Sequence, residues 1–570
     1  MNQKTLAGRV LFRFFPFLGW KRPDRDVLRA DVIAGVSVGL VLIPQALAYA
    51  QLAGMPPATG LYAAMLPGIV GALFGSSSLL AVGPVALTSL LTFAALQPLA
   101  EPGSPAWVSM AVWLAFYSGL MQLAMGCLRL GGLANLISNA VIQGFINAAA
   151  LIIIVSQLPA LVGFAGAPGE HWLDQLATTW QTDPTRLVTT AGFGLGSLSL
   201  LALARKLSAR FPAVMLICLA GIAVSLLIGF ATSGGSVIGA IGGGLPDIAL
   251  PSALDYKTHL ALLVPAAIIA LISFTEAMSS CRTMARMTGE PWNRNQELIG
   301  QGLAKVASGL SGAFPVSGSF SRTALNAYSG ARTSWSTITA SIVVLLSLFG
   351  LTDLLFHLPT AVLAAIIIVP VTRLITPRIL LRLCRDNPKD GIVALTTLVV
   401  TLATVPDLYW GVLAGLGASL LAFFHHHAMP RIIELGVHES GALRDRELYQ
   451  LPPIAEGVLA LRMDASLTYL TAPVLERQIR KRVESTPDIR ILLLSATSLN
   501  HVDATGIDTL RDIWLMLDIK GIDFYVSGPK LPLRQALSRS ELAGLFDDAH
   551  VFATDAAAVA QLTSKNVIPE

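Results

Sequence analysis

Charge is scarce in this chain. Only 13% of its 570 residues are Asp, Glu, Lys or Arg, about half the share of an average soluble domain. Cysteine is scarcer still. Cys127, Cys218, Cys281 and Cys384 are too far apart for a thiolate metal site or a redox pair, which leaves them as small buried apolar side chains. No low-complexity tract interrupts the sequence. The net charge of +4 contains no basic block, which excludes a nucleic-acid-binding surface. The N-terminus has neither the long apolar core nor the small-residue cleavage site of a signal peptide. Instead Lys4, Arg9, Arg13, Lys21, Arg22, Arg25 and Arg29 surround a broken aromatic stretch over 11–19, the pattern of a cytosolic, interfacial arm over 1–30. No nucleophile–base pair is legible, so the chain does not read as an enzyme.

What is plentiful is apolar length. The chain is 54% hydrophobic, and runs over 30–52, 107–128, 151–162 and 211–230 meet or approach the ~20 residues that cross a bilayer. About fourteen such segments can be counted, some of half length. They begin near Asp31, Ala58, Ala81, Trp107, Asn135, Arg186 and Phe211, then near His259, Gln296, Ser319, Trp335, Asp353, Gly391 and Tyr409. The predicted fold class is a polytopic α-helical membrane protein with a transmembrane domain over 31–428. Basic residues choose the sides. Arg129, Arg205, Lys206, Arg210, Arg282, Arg286, Arg294, Arg332 and the group over 373–389 fall in one set of loops. The other set, 98–106, 159–187 and 231–259, carries Glu101, Glu170, Asp174, Asp183, Asp247 and Asp255, with Arg186 and Lys257 its only basic residues. Both termini are therefore expected in the cytosol, and the chain in the inner (plasma) membrane.

Two of the segments are interrupted. One runs Leu80-Ala81-Val82-Gly83-Pro84-Val85-Ala86-Leu87 and the other Phe314-Pro315-Val316-Ser317-Gly318-Ser319-Phe320-Ser321-Arg322. Non-helical backbone survives at membrane depth only where protein buries it or where it lines a cavity. Paired broken helices in two repeats point to a transporter's substrate site. A helix restarting after each break would offer free N–H groups and about half a positive charge. Two such ends facing one another suit an anion, whereas two ordinary loops would leave nothing to bind. The halves also correspond: Gln45 and Glu276 are 231 positions apart (276 − 45), Val85 and Phe320 235 (320 − 85). Seven segments between copies would invert the second, giving repeats over about 31–231 and 258–428.

Beyond residue 428 the composition turns polar. The stretch 429–455 reads as a linker, and 456–562 as a small α/β domain in which the strand-like runs 458–463 and 489–495 alternate with amphipathic helices over 473–483 and 506–517.

Five ordered motifs resemble the sulfate permease (SulP) family of anion transporters, relatives of pendrin and prestin. They are Pro44-Gln45-Ala46-Leu47-Ala48-Tyr49-Ala50, Pro57-Ala58-Thr59-Gly60-Leu61-Tyr62-Ala63-Ala64 with Phe74-Gly75-Ser76-Ser77, Asn295-Gln296-Glu297-Leu298, Ser319-Phe320-Ser321-Arg322, and Asn500-His501-Val502-Asp503-Ala504-Thr505-Gly506. The last is similar to the signature loop of a STAS domain. Thr59 stands where the family usually has an aromatic, and Ser78 where a basic residue is common. The resemblance implies a 7+7 inverted repeat, core and gate domains, a cytosolic STAS domain, a homodimer and a small inorganic anion as substrate. It also implies substrate contacts at Gln45, Tyr49, Val85, Ala86, Glu276, Phe320, Ser321 and Arg322.

Chemistry gives these residues roles. Val85, Ala86, Phe320 and Ser321 would present amides to the anion. The Ser321 hydroxyl would either donate to substrate or cap its helix, and Gln45 would either donate to substrate or bridge two helices. Glu276 and Arg322, charges at membrane depth, are functional by default, with a structural ion pair as the alternative. Counting Arg322 as +1, the two helix ends as about +1 and an ionised Glu276 as −1 leaves a site near +1, and protonation raises it to about +2, the match for sulfate. That count favours proton-coupled sulfate uptake with Glu276 as the coupling group. A sodium-coupled bicarbonate symporter, using Glu276, Thr275, Ser279 and carbonyls as a cage, and a C4-dicarboxylate transporter are the alternatives. A passive channel would need a polar path that the segments do not show. His425, His426 and His427 read as an interfacial cluster rather than a metal site. In the tail, Asp503, Thr505 and Gly506 mark the STAS loop. The family's usual phospho-acceptor position holds Ala504, which favours a helix-capping turn and leaves a cytosolic protein or nucleotide partner open.

Overall fold

The computed structural model describes residues 15–564, apart from 21, 133–136, 164–177, 208–212, 243, 440, 487, 545, 547 and 548. The arm over 1–14 with Lys21, the segment starts near Asn135 and Phe211, and the loop charges Glu170, Asp174 and Arg210 lie outside the described residues. The chain divides into two units at residue 420.

The first unit is helical. Its first half holds α1 (Arg25–Leu52), α2 (Pro57–Phe74), strand β1 (Val82–Gly83), α3 (Ala86–Leu96), α4 (Pro105–Cys127), α5 (Asn139–Val162), α6 (Pro184–Leu207) and α7 (Ala213–Leu227). Its second half holds α8 (Tyr256–Thr288), α9 (Arg294–Leu310), β2 (Ser317–Gly318), α10 (Phe320–Tyr328), α11 (Trp335–Gly350), α12 (Thr360–Val371), α13 (Pro388–Ala403) and α14 (Tyr409–Ala428). Two short helices, Thr352–Phe356 and Pro377–Asp386, lie between these. Among the described residues, seven helices are long and apolar enough to cross a membrane. The segment expected to begin near Asp353 starts instead at Thr360, because Leu358-Pro359 breaks the chain after one short helical turn.

Local chemistry sets the helix starts. Ser104, Ser138, Asp255 and Asn293 accept amide hydrogen bonds as N-caps, each satisfying donors that an uncapped helix leaves free. Packing divides the helices into two groups. Helices α1–α4 pack with α8–α11, the closest pair being α4 with α9. Helices α5–α7 pack with α12 and α13, and Gly411 and Gly415 bring α14 onto Thr401 and Thr397 of α13. Small residues make the α4–α9 approach possible. A Cβ on Gly119 would lie 2.8 Å from the Gly302 carbonyl oxygen, and one on Gly302 2.6 Å from the Leu123 nitrogen, the close backbone contact on which membrane helices rely.

The second unit is a six-stranded sheet in the order β4-β3-β5-β6-β7-β8. The strands are β3 (Ile432–Val437), β4 (Leu443–Asp445), β5 (Val458–Met463), β6 (Ile491–Ser495), β7 (Asp523–Ser527) and β8 (Val551–Phe552). Strands β5 to β8 run parallel, while β3 is antiparallel to both β4 and β5. Alternate residues feed two cores. Leu459, Leu461, Leu492 and Leu494 meet α15 (Ala472–Ser485), α16 (Ala504–Ile519) and α17 (Leu531–Ser538). Val458, Ala460, Ile491 and Leu493 meet α18 (Asp555–Ser564) on the other face. A sheet buried on both faces gives the near-continuous apolar strands seen here.

The stretch 429–455, expected to be a linker, carries β3 and β4. Its charges conceal the strands because they pair with one another: Glu434 takes Arg446 and, at 3.2 Å, Arg482, and Arg431 reaches Asp445 at 2.6 Å.

Candidate functional site

The two interrupted segments pair with each other. Val82 stands opposite Gly318 and Gly83 opposite Ser317 in an antiparallel ribbon, extended by a hydrogen bond from the Ser319 amide to the Ala81 oxygen (2.9 Å). Thr323 Oγ1 accepts from the Ala81 amide (3.0 Å), and Asn326 Nδ2 donates to the Leu79 oxygen (3.2 Å). Each break thus satisfies the other's backbone groups, which is how non-helical chain persists away from water.

Directly after the ribbon both helices restart. Val85 is the N-cap of α3 in an extended conformation with no side-chain cap, so the first amides of α3 are left to another acceptor. In α10 the cap is Ser319, whose Oγ accepts from the Arg322 amide at 3.4 Å. The capping role weighed for Ser321 therefore belongs two residues earlier, and Ser321 sits exposed in the first turn beside the half-exposed Phe320. Helices α1 and α8 each pack against both half-helices, which brings together the four elements that carry the predicted contacts.

The predicted side chains share one property. Gln45 Oε1, Glu276 Oε2, and Nε and Nη2 of Arg322 are buried with no hydrogen-bond partner in the chain. Buried polar atoms are normally satisfied, so four such atoms on three residues make these side chains candidates for contact with a ligand, while single atoms of Ser89, Ser225, Gln301 and Asn326 are also unpartnered. Arg322 is held through Nη1, which donates to the Pro84 oxygen at 2.8 Å. Tyr49 is buried on α1 within electrostatic reach of Arg322 and Glu276. Among the described residues no ion pair joins Glu276 to Arg322, so the structural-pair alternative is not what holds them.

Sequence reasoning missed Lys305 and Gln122. Lys305 is completely buried on α9, and its Nζ donates to Gln122 Oε1 at 2.8 Å. The available signal was the spacing of Glu297, Gln301, Lys305 and Ser308, one helical face of polar residues that in a soluble protein would face water. Here all four are buried. Glu297 braces the structure, accepting from the amides of Ser76 (2.9 Å) and Ser77 (3.1 Å) and from Gln301 Nε2 (3.2 Å). Asn295 likewise accepts from the Gly131 amide at 2.8 Å. Thr275, weighed as part of a sodium cage, donates its hydroxyl to the Leu271 oxygen (2.8 Å). Among the described residues no group of three or more His, Cys, Asp or Glu could hold a metal.

In the STAS loop, Asp503 is the N-cap of α16. Its Oδ1 accepts from the Gly506 amide (2.9 Å) and its Oδ2 from the Tyr469 amide (2.8 Å). Thr505 is exposed in the first turn.

Comparison with known proteins identifies the family and the fold. The family model of the sulfate permease family matches residues 28–397, and that of the STAS domain residues 449–558. A probable sulfate transporter of Mycobacterium tuberculosis is 33% identical over 535 residues, covering 93% of this chain and 94% of its own. A chloroplastic sulfate transporter of Arabidopsis thaliana is 31% identical, covering 93% and 80%. In fold, the chain matches the murine solute carrier 26 family member A9 anion transporter with a TM-score of 0.87 at 21% identity, over 99% of this chain and 96% of that one. It matches the transmembrane domain of the cyanobacterial bicarbonate transporter BicA at 0.59 and 24% identity, over 70% and 99%. This chain belongs to the sulfate permease family and carries a C-terminal STAS domain.

Proposed function

We propose that the chain is a secondary active transporter that takes up sulfate together with protons by elevator-like alternating access. It would work as a homodimer in the inner (plasma) membrane with both termini in the cytosol. The STAS domain would serve assembly or a cytosolic partner. The observation that carries this reading is the set of unpartnered buried atoms on Gln45, Glu276 and Arg322. Arg322 Nε and Nη2 and the amides at the start of α3 are donors for an oxyanion. Glu276 Oε2, by contrast, is an acceptor, and an ionised carboxylate turned toward a dianion repels it. A proton converts that oxygen into a donor, so sulfate and proton favour one another's binding, which is the thermodynamic content of symport. Gln45 completes the site, since its terminal amide can turn to present Nε2. The antiparallel ribbon and the division into α1–α4 with α8–α11 and α5–α7 with α12–α14 support an inverted repeat in which one group carries the site past the other. The relatives named as sulfate transporters support the choice of anion.

Labelled-sulfate uptake into proteoliposomes tests it, with an inward proton gradient or an inward sodium gradient imposed. The proton gradient alone drives accumulation, and Glu276→Gln abolishes that drive while keeping sulfate exchange. Accumulation driven by sodium, or proton-driven uptake that survives Glu276→Gln, overturns the coupling assignment.

A further inference from the structure

Along the buried stripe of α9 the side chains flanking Lys305 brace the structure, although Gln301 Oε1 has no partner in the chain. Glu297 and Gln301 hold each other and the loop after α2, and Ser308 Oγ donates to the Phe314 oxygen at 2.6 Å. Lys305 remains, an amine with no exposed surface inside a membrane domain, a placement too costly to persist without a use.

Its holder is oriented. Gln122 Nε2 donates to the Ala270 oxygen (2.6 Å) and to Ser273 Oγ (3.1 Å), both on α8, so the amide oxygen is the end that faces Lys305. The Ser273 carbonyl in turn accepts from Ser317 Oγ of β2 at 2.9 Å. Lys305 is thereby connected through α4 and α8 to the broken segment itself. The carboxylate that acts on it electrostatically is Glu276, one helical turn beyond Ser273 on α8. Arg322 on α10 acts on the same carboxylate. Glu297, on Lys305's own helix, is engaged by the Ser76 and Ser77 amides. Helices α2 and α4, which also pack on α9, carry no charged residue.

We propose that Lys305 is the tethered counter-cation of the coupling site: seated on Gln122 Oε1 behind Glu276, it balances the carboxylate once its proton has left, so that the unloaded site returns without taking on a metal cation. This rests on the reading of Glu276 as the proton-coupling group. An oxygen-lined position beside a buried carboxylate is what a transporter needs to hold sodium. Here the chain fills that position with its own amine. Lys305 then matters for the return of the empty site and not for sulfate–sulfate exchange, in which the site crosses loaded in both directions.

The full chain in proteoliposomes separates these steps. In sodium-free choline medium, Lys305→Gln lowers proton-driven net sulfate uptake by about tenfold or more and leaves sulfate–sulfate counterflow within about twofold. Adding sodium restores net uptake several-fold, a response the parent lacks. Lys305→Met, of similar length and without the charge, produces the same split, so it decides the matter if Lys305→Gln does not fold. Net uptake and counterflow falling together, net uptake unchanged, or a loss that sodium does not reverse each overturns the proposal. A parent without proton drive overturns the reading of Glu276 and this inference with it. A proton-driven parent whose Lys305→Gln variant loses both activities overturns the role of Lys305 alone.

Discussion

Arg322 of the second broken segment donates from Nη1 to the carbonyl oxygen of Pro84 in the first, at 2.8 Å. The guanidinium is therefore positioned by the opposite half of the chain, with Nε and Nη2 left over. Its other close neighbour is Gly83, where an added Cβ would lie 3.3 Å from Nη2. Gly83→Ala narrows that gap and displaces the free edge of the guanidinium while the backbone pairing stays intact. The expected result is a KM for sulfate raised by about tenfold, the equivalent of about 1.4 kcal/mol, with little change in thermal unfolding. Arg322→Lys keeps the charge but loses the fork, and uptake kinetics will show a larger defect than for Gly83→Ala.

Glu297 makes a different kind of contribution. Its carboxylate accepts from two amides of the loop that follows α2 and leads into β1. Glu297→Ala removes the acceptor from both donors in a partly buried place, at up to about 1–3 kcal/mol each. A drop in unfolding temperature in detergent is expected, with Glu297→Gln falling between variant and parent. An unchanged unfolding temperature would mean that the loop finds other acceptors.

For the STAS domain the contrast is between neighbours. Asp503→Ala removes the cap of α16 and the anchor for the Tyr469 amide, a loss of about 1 kcal/mol for the cap alone. Thr505→Ala touches an exposed hydroxyl and is expected to stay within about 0.5 kcal/mol of the parent. Hydrogen exchange of the full-length protein reads both, with faster exchange at the Gly506 and Tyr469 amides in the first variant and no change in the second.

Acid acts on the same unit through Asp445. The Leu448 amide, then Arg431 and the Glu447 amide, hold its carboxyl below the usual carboxylate range. A carboxyl depressed on folding adds stability above its unfolded value and loses it as pH falls through the folded value. Asp445→Asn should therefore destabilise the unit at pH 7 and converge with the parent only as the pH falls through the carboxyl's lowered folded value, measured by unfolding midpoints from neutral to acid pH.

How far the sequence was legible depended on distance along the chain. Gly83-Pro84, Pro315 and Gly318 announced the two breaks because backbone-breaking residues act locally. That the breaks pair with one another could not be read, since a two-residue strand has no pattern long enough to show partners 236 (318 − 82) and 234 (317 − 83) positions away. Lys305 and Gln122 were passed over for a related reason. A polar stripe at helical spacing looks the same whether it faces water or a buried network, and only the packing of α4 on α9 decides. The same holds for β3, where Arg446 and Arg482 neutralise Glu434 and so hide a strand inside a stretch that reads as polar linker. The capping of α16 by Asp503 was legible because the aspartate and the amide it caps are three residues apart.

The ribbon also sets a timetable for biosynthesis. Val82 leaves the ribosome 236 residues before its partner Gly318 (318 − 82), which at about 5–20 residues per second is roughly ten to fifty seconds. Through that interval the first broken segment is already at membrane depth with its pairing edge open. The half-made transporter must therefore be kept by the insertion machinery, or in contact with water, until its second half arrives.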